Sequence, residues 1–291
     1  MIAALLIAGA AIAHATWNVA MKRAGTSGTP FIAATLVVGV VALAPFGIGA
    51  LIVSPPTTPA FVPLVLGSAA LQLGYFLLLQ RGYRLSDVGV VYPLARGTGP
   101  LLSVVGEIVL LGERPGAVVL AGASLVVAGV VIIGLAGARD DSVQGIVASA
   151  RRWRGIRYGA AVGVIIAAYT LWDAAAVTRA ELDPVGYYWA SMVVQLAVLL
   201  PLARRERGAL ARTAREHPVA VSLVGVLSPL AYGAVLVAYQ LAPVSIVAPA
   251  REVSVVLIAL AGWLLLREPH PVRRLIGSAV VLAGIALLAL G

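Results

Sequence analysis

The chain has 291 residues, 61% hydrophobic and 11% charged, with a mean hydropathy of +1.00. Soluble domains carry roughly 25% charged residues, so the composition excludes a soluble globular protein and points to an integral membrane protein. The net charge of +9 does not imply nucleic-acid binding, because the arginines fall in short loops between apolar runs, and the lack of cysteine excludes disulfides and thiolate metal sites.

A membrane span needs about 20 apolar residues. Runs of that kind fall near residues 2–21, 30–53, 61–80, 88–111, 116–137, 157–178, 184–203, 218–241, 244–266 and 271–290. Proline and glycine punctuate the gaps, at Gly25 to Pro30, Ser54 to Pro59, Gly112 to Pro115, Asp183-Pro184, His217-Pro218, Ala242-Pro243 and Pro269 to Pro271. Residues 2–21 lack a basic leader and are expected to form a retained helix. Two polar stretches remain, a linker at 138–156 and a basic loop at 203–217. This pattern predicts an all-α protein with ten transmembrane helices.

The chain repeats itself. Trp17 and Trp172, Arg96 and Arg251, Glu113 and Glu268, Gly122 and Gly277, and Gly129 and Gly284 are each 155 residues apart. One offset across five helices marks a tandem duplication, with a first five-helix repeat at 1–137, a basic linker at 138–156 and a second repeat at 157–291. An odd number of spans per repeat forces the halves to insert in opposite directions. That is the inverted-repeat plan of secondary transporters, whose site lies near the midplane at the repeat interface. Seventeen of the 21 basic residues follow odd-numbered spans, which predicts cytoplasmic odd loops and both termini outside.

Two arginines interrupt apolar runs, in Val90-Val91-Tyr92-Pro93-Leu94-Ala95-Arg96 and Ile246-Val247-Ala248-Pro249-Ala250-Arg251. A charge at the bilayer centre costs about 2.5–3.5 kcal/mol even on the lenient insertion scale. At about 1.5 Å per residue, Arg96 lies roughly 12 Å into its helix and Arg251 about 10 Å into its own from the opposite face, both near mid-membrane. Pro93 and Pro249 are expected to loosen the helix just before each arginine. Guanidinium forks suit carboxylates and other anions, so the pair reads as a substrate site. The alternative is an internal ion pair with Glu107, Glu252 or Asp173 that locks helices together. With one cavity between them, the two guanidinium groups are expected on opposite sides of it, at least one paired with an acid.

His14 and Asn18 share a face of the first helix with Trp17, as Tyr169 and Asp173 do around Trp172 in the sixth. His14 and Asp173 are the first candidates for proton coupling, with Glu107 and Glu252 beside them. Glu107 lies on the Arg96 face but about 16 Å further along, which suits a gate or second ion pair. Tyr75, Tyr92 and Tyr232 are candidate cavity residues with Trp17, Trp172 and Asn18. Tyr187, Tyr188 and Trp189 fit a cavity or an interfacial belt equally. Gly122, Gly129, Gly277 and Gly284 form stripes for close helix packing, and Glu113 and Glu268 are placed to accept from the first turn of the next helix. No arrangement of residues makes a catalytic centre or a metal site, and no cofactor is expected.

Gly112-Glu113-Arg114-Pro115 with Gly122 and Gly129, matched by Arg267-Glu268-Pro269 with Gly277 and Gly284, resembles the EamA-type transporters of the drug/metabolite transporter superfamily over nearly the whole chain. The first helix, Ala13-His14-Ala15-Thr16-Trp17-Asn18-Val19-Ala20-Met21-Lys22, also resembles that of the related small multidrug transporters, whose essential glutamate aligns with His14. The resemblance implies a basket-like bundle with a central cavity, and substrates ranging from amino acids to other small metabolites. Twenty arginines against the single Lys22, with the richness in Ala, Gly and Val, fit a high-GC bacterial genome and hence a multi-pass protein of a bacterial inner membrane.

The sequence thus reads as a secondary transporter acting as a monomer on a small-molecule substrate, with export preferred on the resemblance. Uptake or exchange of an organic or phosphorylated anion is the alternative. An intramembrane lipid-handling enzyme would need a cluster of acids, bases or metal ligands that the sequence does not assemble.

Overall fold

The computed structural model describes residues 1–24, 28–85, 88–112, 114–136, 146–204, 208–266 and 271–290. Among them the chain is helical, without strands: α1 (Ile2–Ala24), α2 (Thr29–Val53), α3 (Phe61–Leu85), α4 (Val88–Gly106), a π-helical turn (Glu107–Leu111), α5 (Ala117–Ala136), α6 (Ile146–Thr178), α7 (Pro184–Arg204), α8 (Ala209–Glu216), α9 (Pro218–Tyr239), α10 (Val244–Ala250), α11 (Val253–Leu266) and α12 (Pro271–Leu290). Prolines open α7, α9 and α12, where a missing N–H removes no helical bond. Gly112 and Gly208, both at φ 76, supply the left-handed turns before α5 and α8.

Seven described helices are long and apolar enough to cross a membrane. The ten expected stretches include three more, 88–111, 116–137 and 271–290. Each holds a described helix, the last two containing the shorter apolar segments Ala117–Ile133 and Leu275–Leu290. The structure departs from expectation elsewhere. Half of the expected linker is helical, because α6 starts at Ile146, and the basic loop contains α8. The prolines before the arginines behave differently. α4 runs unbroken through Pro93, whereas the second-half helix breaks after Pro249 into α10 and α11. At that break Glu252 N–H bonds Pro249 O and Val255 N–H bonds Glu252 O, both three residues back, so the turn tightens instead of opening.

The chain forms two compact units, each taking a piece from both sequence halves. Unit 1 comprises residues 1–70 and 172–241, and unit 2 comprises 71–171 and 242–291. In unit 1, α1 packs on α9, and α2 packs on α7 and α9. A Cβ at Gly39 would lie 2.6 Å from Gly225 O, so the α2–α9 approach depends on glycine.

Unit 2 is organised by α5 against its duplicate, α12, with α4 and α10 packed on α5 and α11 on α12. A Cβ at Gly122 would lie 2.8 Å from Gly284 O, and one at Gly129 would lie 2.7 Å from Gly277 O. Each glycine faces the counterpart of the other, as two copies related by a two-fold axis require. Backbones this close gain dispersion contact along the whole seam, the main attraction available between helices in lipid.

Gly129→Val is therefore expected to force α5 and α12 apart and destabilise the protein by at least the 1–3 kcal/mol typical of overpacking. Gly9→Ala, with nothing within 4 Å of the added carbon, should be neutral or stabilising. Thermal melting of the two purified variants checks both.

Candidate substrate site

Unit 2 brings the two arginines together on one acid. Arg96 projects from α4 and Arg251 from the turn between α10 and α11, with side chains 14% and 11% exposed. Glu252, 1% exposed, places Oε1 3.4 Å from Arg96 Nη1 and 3.5 Å from Arg251 Nε. Arg251 Nη2 also lies 3.5 Å from Thr170 Oγ1. Both guanidinium groups thus lie close to one acid, and a carboxylate between them offsets their repulsion. Both contacts are longer than the 2.7–2.9 Å of a tight charge-assisted hydrogen bond. The second carboxylate oxygen, Oε2, is buried and has no hydrogen-bond partner among the described residues.

Beside this cluster, Tyr75 meets Tyr169 edge-on at 5.9 Å, and both pack on Ala95, which precedes Arg96 in the chain, and on Val162 and Ile166 of α6. Glu107, 3% exposed, caps a helix, since its Oε1 accepts from the Val244 N–H at the start of α10. That capping role is the one expected of Glu113 and Glu268, which lie outside the described residues. So does the side chain of Tyr92.

Unit 1 holds a second polar cluster around Asp173, which is 0% exposed. The Tyr187 hydroxyl donates to Oδ1 at 2.7 Å and the Tyr232 hydroxyl to Oδ2 at 2.7 Å. Leu64 O lies within 3.3 Å of the Tyr187 hydroxyl and accepts from Trp172 Nε1 at 2.9 Å. Ser191 bonds Ser68, and Gln195 bonds Ser191, so α3 and α7 are tied by buried hydroxyls. Tyr188 stacks near Tyr232 at 4.9 Å. A small cleft in the same unit is lined by Leu51, Phe61, Glu181, Asp183 and Tyr187 among others. On α1, His14 and Trp17 contact edge-on at 4.7 Å, and Asn18 donates back to His14 O.

Of the expected site residues, Arg96, Arg251 and Glu252 converge in one unit, with Tyr75 close by. Asp173 and Tyr232 converge in the other. Trp172 clamps α6 to α3, while its counterpart Trp17 keeps its indole nitrogen buried and, among the described residues, without a hydrogen-bond partner. Tyr187, only 1% exposed, is a ligand of Asp173 and not a belt residue. The sequence reading missed Thr170, Ser68, Ser191 and Gln195. Their signal was present as polar side chains inside apolar helices, the pair 191 and 195 one turn apart.

The profile of the EamA-like transporter family matches residues 1–135 and 153–290, and the chain belongs to that family. It is a multi-pass membrane protein and a membrane transporter of the drug/metabolite superfamily. A solved structure titled only "Crystal structure of protein" is similar over 99% of this chain and 96% of its own, with 21% sequence identity and a TM-score of 0.79. The likeness concerns the fold. No curated protein matches the chain.

Removing either tyrosine hydroxyl leaves a buried carboxylate short of one donor, and hydrogen bonds to charged groups contribute about 1.5–3 kcal/mol. Tyr187→Phe and Tyr232→Phe should each lower the melting temperature. Either change should do less in an Asp173→Asn background, which a double-mutant cycle by thermal unfolding measures.

Proposed function

We propose that the protein is an exporter of small zwitterionic metabolites, amino acids foremost, built of ten spans in two inverted repeats. Its site is the Arg96–Glu252–Arg251 cluster, contributed by both repeats. One observation supports this above others: Glu252 offers one oxygen to two arginines, while its other oxygen is buried and has no hydrogen-bond partner among the described residues. A substrate carboxylate can compete for the guanidinium groups, and a substrate ammonium can occupy Oε2. A zwitterion supplies both charges at a fixed short separation, so binding it exchanges one set of ion pairs for another. Because the bound state favours different partners from the empty one, binding biases the helices that carry them.

Two guanidinium groups around one acid also support a second reading, in which the substrate is an organic or phosphorylated anion taken up or exchanged. The two readings differ at Glu252. An ammonium needs its negative charge, whereas a doubly charged anion is repelled by it.

Proton coupling fits the unit 1 cluster. The Tyr187 hydroxyl has one hydrogen and two acceptors in reach, Asp173 Oδ1 and Leu64 O. With Asp173 ionised it donates to the carboxylate. With Asp173 protonated it turns to Leu64 and accepts the new proton, so both states are satisfied without moving a helix. Tyr232 from α9 and Tyr187 from α7 hold the carboxylate, and the Leu64 carbonyl from α3 lies within reach of the Tyr187 hydroxyl. The basic loops would face the cytoplasm of a bacterial inner-membrane protein, with both termini outside.

Proteoliposomes loaded with labelled amino acids test the reading. Arg96→Gln or Arg251→Gln should lower transport about a hundredfold, and lysine should rescue only in part because the fork is lost. Glu252→Gln should abolish amino-acid transport, and a variant that instead gains activity on dicarboxylates would select the anion reading. Asp173→Asn and His14→Ala should change the response of the rate to an imposed proton gradient. If that response is unaltered in both, and also in Glu107→Gln, coupling of protons through these three residues is excluded.

A further inference from the structure

One basic surface of unit 1 takes no part in either polar cluster. It is carried by α8, an eight-residue helix lying against α2, α7 and α9. Its Leu210 packs on the buried cluster of Phe31, Ala34, Ala220, Val221 and Val224, while Arg212 and Arg215, three residues apart on one face, are exposed. Ala24, the last residue of α1, packs on the same cluster, so the exposed Arg23 belongs to this end of the unit. The helix ends packed against α8 carry exposed apolar residues. Leu202 in the last turn of α7 is 42% exposed, and Val219 in the first turn of α9 is 69% exposed.

A short helix with an apolar face inward and arginines outward, placed where candidate spans end, has the design of an element lying in the membrane interface. We propose that Arg212 and Arg215, with Arg23, hold the phosphate groups of anionic phospholipids in the adjoining leaflet. The chemistry is complementary: a guanidinium fork matches two phosphate oxygens, and the neighbouring exposed Leu202 and Val219 suit the acyl chains of the same lipid. A free phosphate would satisfy the arginines but leave those apolar residues unused. The carboxylate on α8 that competes is Glu216, four residues after Arg212. That order, base before acid along the helix, is the weaker one for pairing. Among the described residues neither Arg212 nor Arg215 forms an ion pair.

Native mass spectrometry of the full chain in detergent, titrated with phosphatidylglycerol or phosphatidylcholine, tests the proposal. The protein should prefer phosphatidylglycerol, and Arg212→Gln with Arg215→Gln should weaken that preference about tenfold or more. Arg212→Lys with Arg215→Lys should keep most of it. Arg179→Gln should keep all of it, because Arg179 lies beyond α6 at the far end of unit 1, roughly 30 Å away along α2. An unchanged preference in the double glutamine variant would overturn the proposal. So would an equal loss in Arg179→Gln, or displacement of the lipid by millimolar inorganic phosphate. Transport by the double glutamine variant in neutral lipid should match the parent, which separates failure of this surface from failure of the substrate site.

Discussion

Unit 2 depends on how charge is kept inside an apolar helix bundle. Two guanidinium groups in such surroundings repel strongly, and an unpaired buried charge costs several kcal/mol. Glu252 makes the arrangement tolerable by standing between them. Its position follows from the tight turn after Pro249, which ends α10 and sets Arg251 and Glu252 side by side before α11 resumes. The Glu107 carboxylate fixes the other end of α10 by accepting from Val244 N–H. A seven-residue helix is thus held at one end by a cap and at the other by an ion cluster, while α4, α5 and α12 pack around it.

The duplication built the frame, and divergence between the copies built the sites. At the shared offset of 155, Glu252 corresponds to Gly97 and Asp173 to Asn18. Gly97 serves packing, since a Cβ there would lie 2.8 Å from Val131, and α4 can approach α5 only with glycine at that point. A second glutamate at 97 would have neutralised the pair of arginines and separated two packed helices. Asn18 likewise spends its amide on the His14 carbonyl of its own helix, whereas Asp173 gathers two tyrosines from other helices. In both cases the first copy keeps the neutral residue and serves packing, and the second carries the acid.

What the sequence could show was whatever repeats or has a period. Span-length apolar runs, the glycine stripes of α5 and α12, and the arginine pair were all legible, because each is a local pattern or a match at one offset. What it hid depends on which helices meet. Tyr187 sits with Tyr188 and Trp189 in the first turn of an apolar helix, the pattern of an interfacial belt. Only the neighbouring Asp173 reveals its hydroxyl as a ligand. Glu252 was visible as one of three possible partners for the arginines, but its choice required knowing that α4 faces the α10–α11 turn. The short α8 was hidden by its arginines, which read as loop until Leu210 is seen to be anchored in a core.

The contrast between Pro93 and Pro249 shows why the break falls in one copy only. Both remove a backbone donor, yet α4 continues through the first. After Pro93 the chain can remain helical, because Gly97 and Gly99 let neighbouring helices lie flush along the next turn, as their close contacts with Val131 and Ile166 show. After Pro249 the corresponding space is claimed by a carboxylate that must reach Arg96 on another helix. A regular helix would place Arg251 and Glu252 about 100° apart around its axis. The tightened turn at 251 and 252 accompanies a geometry in which both side chains meet at one oxygen. An acid next to a base in sequence is rarely its partner on a helix, and here the broken helix makes it so.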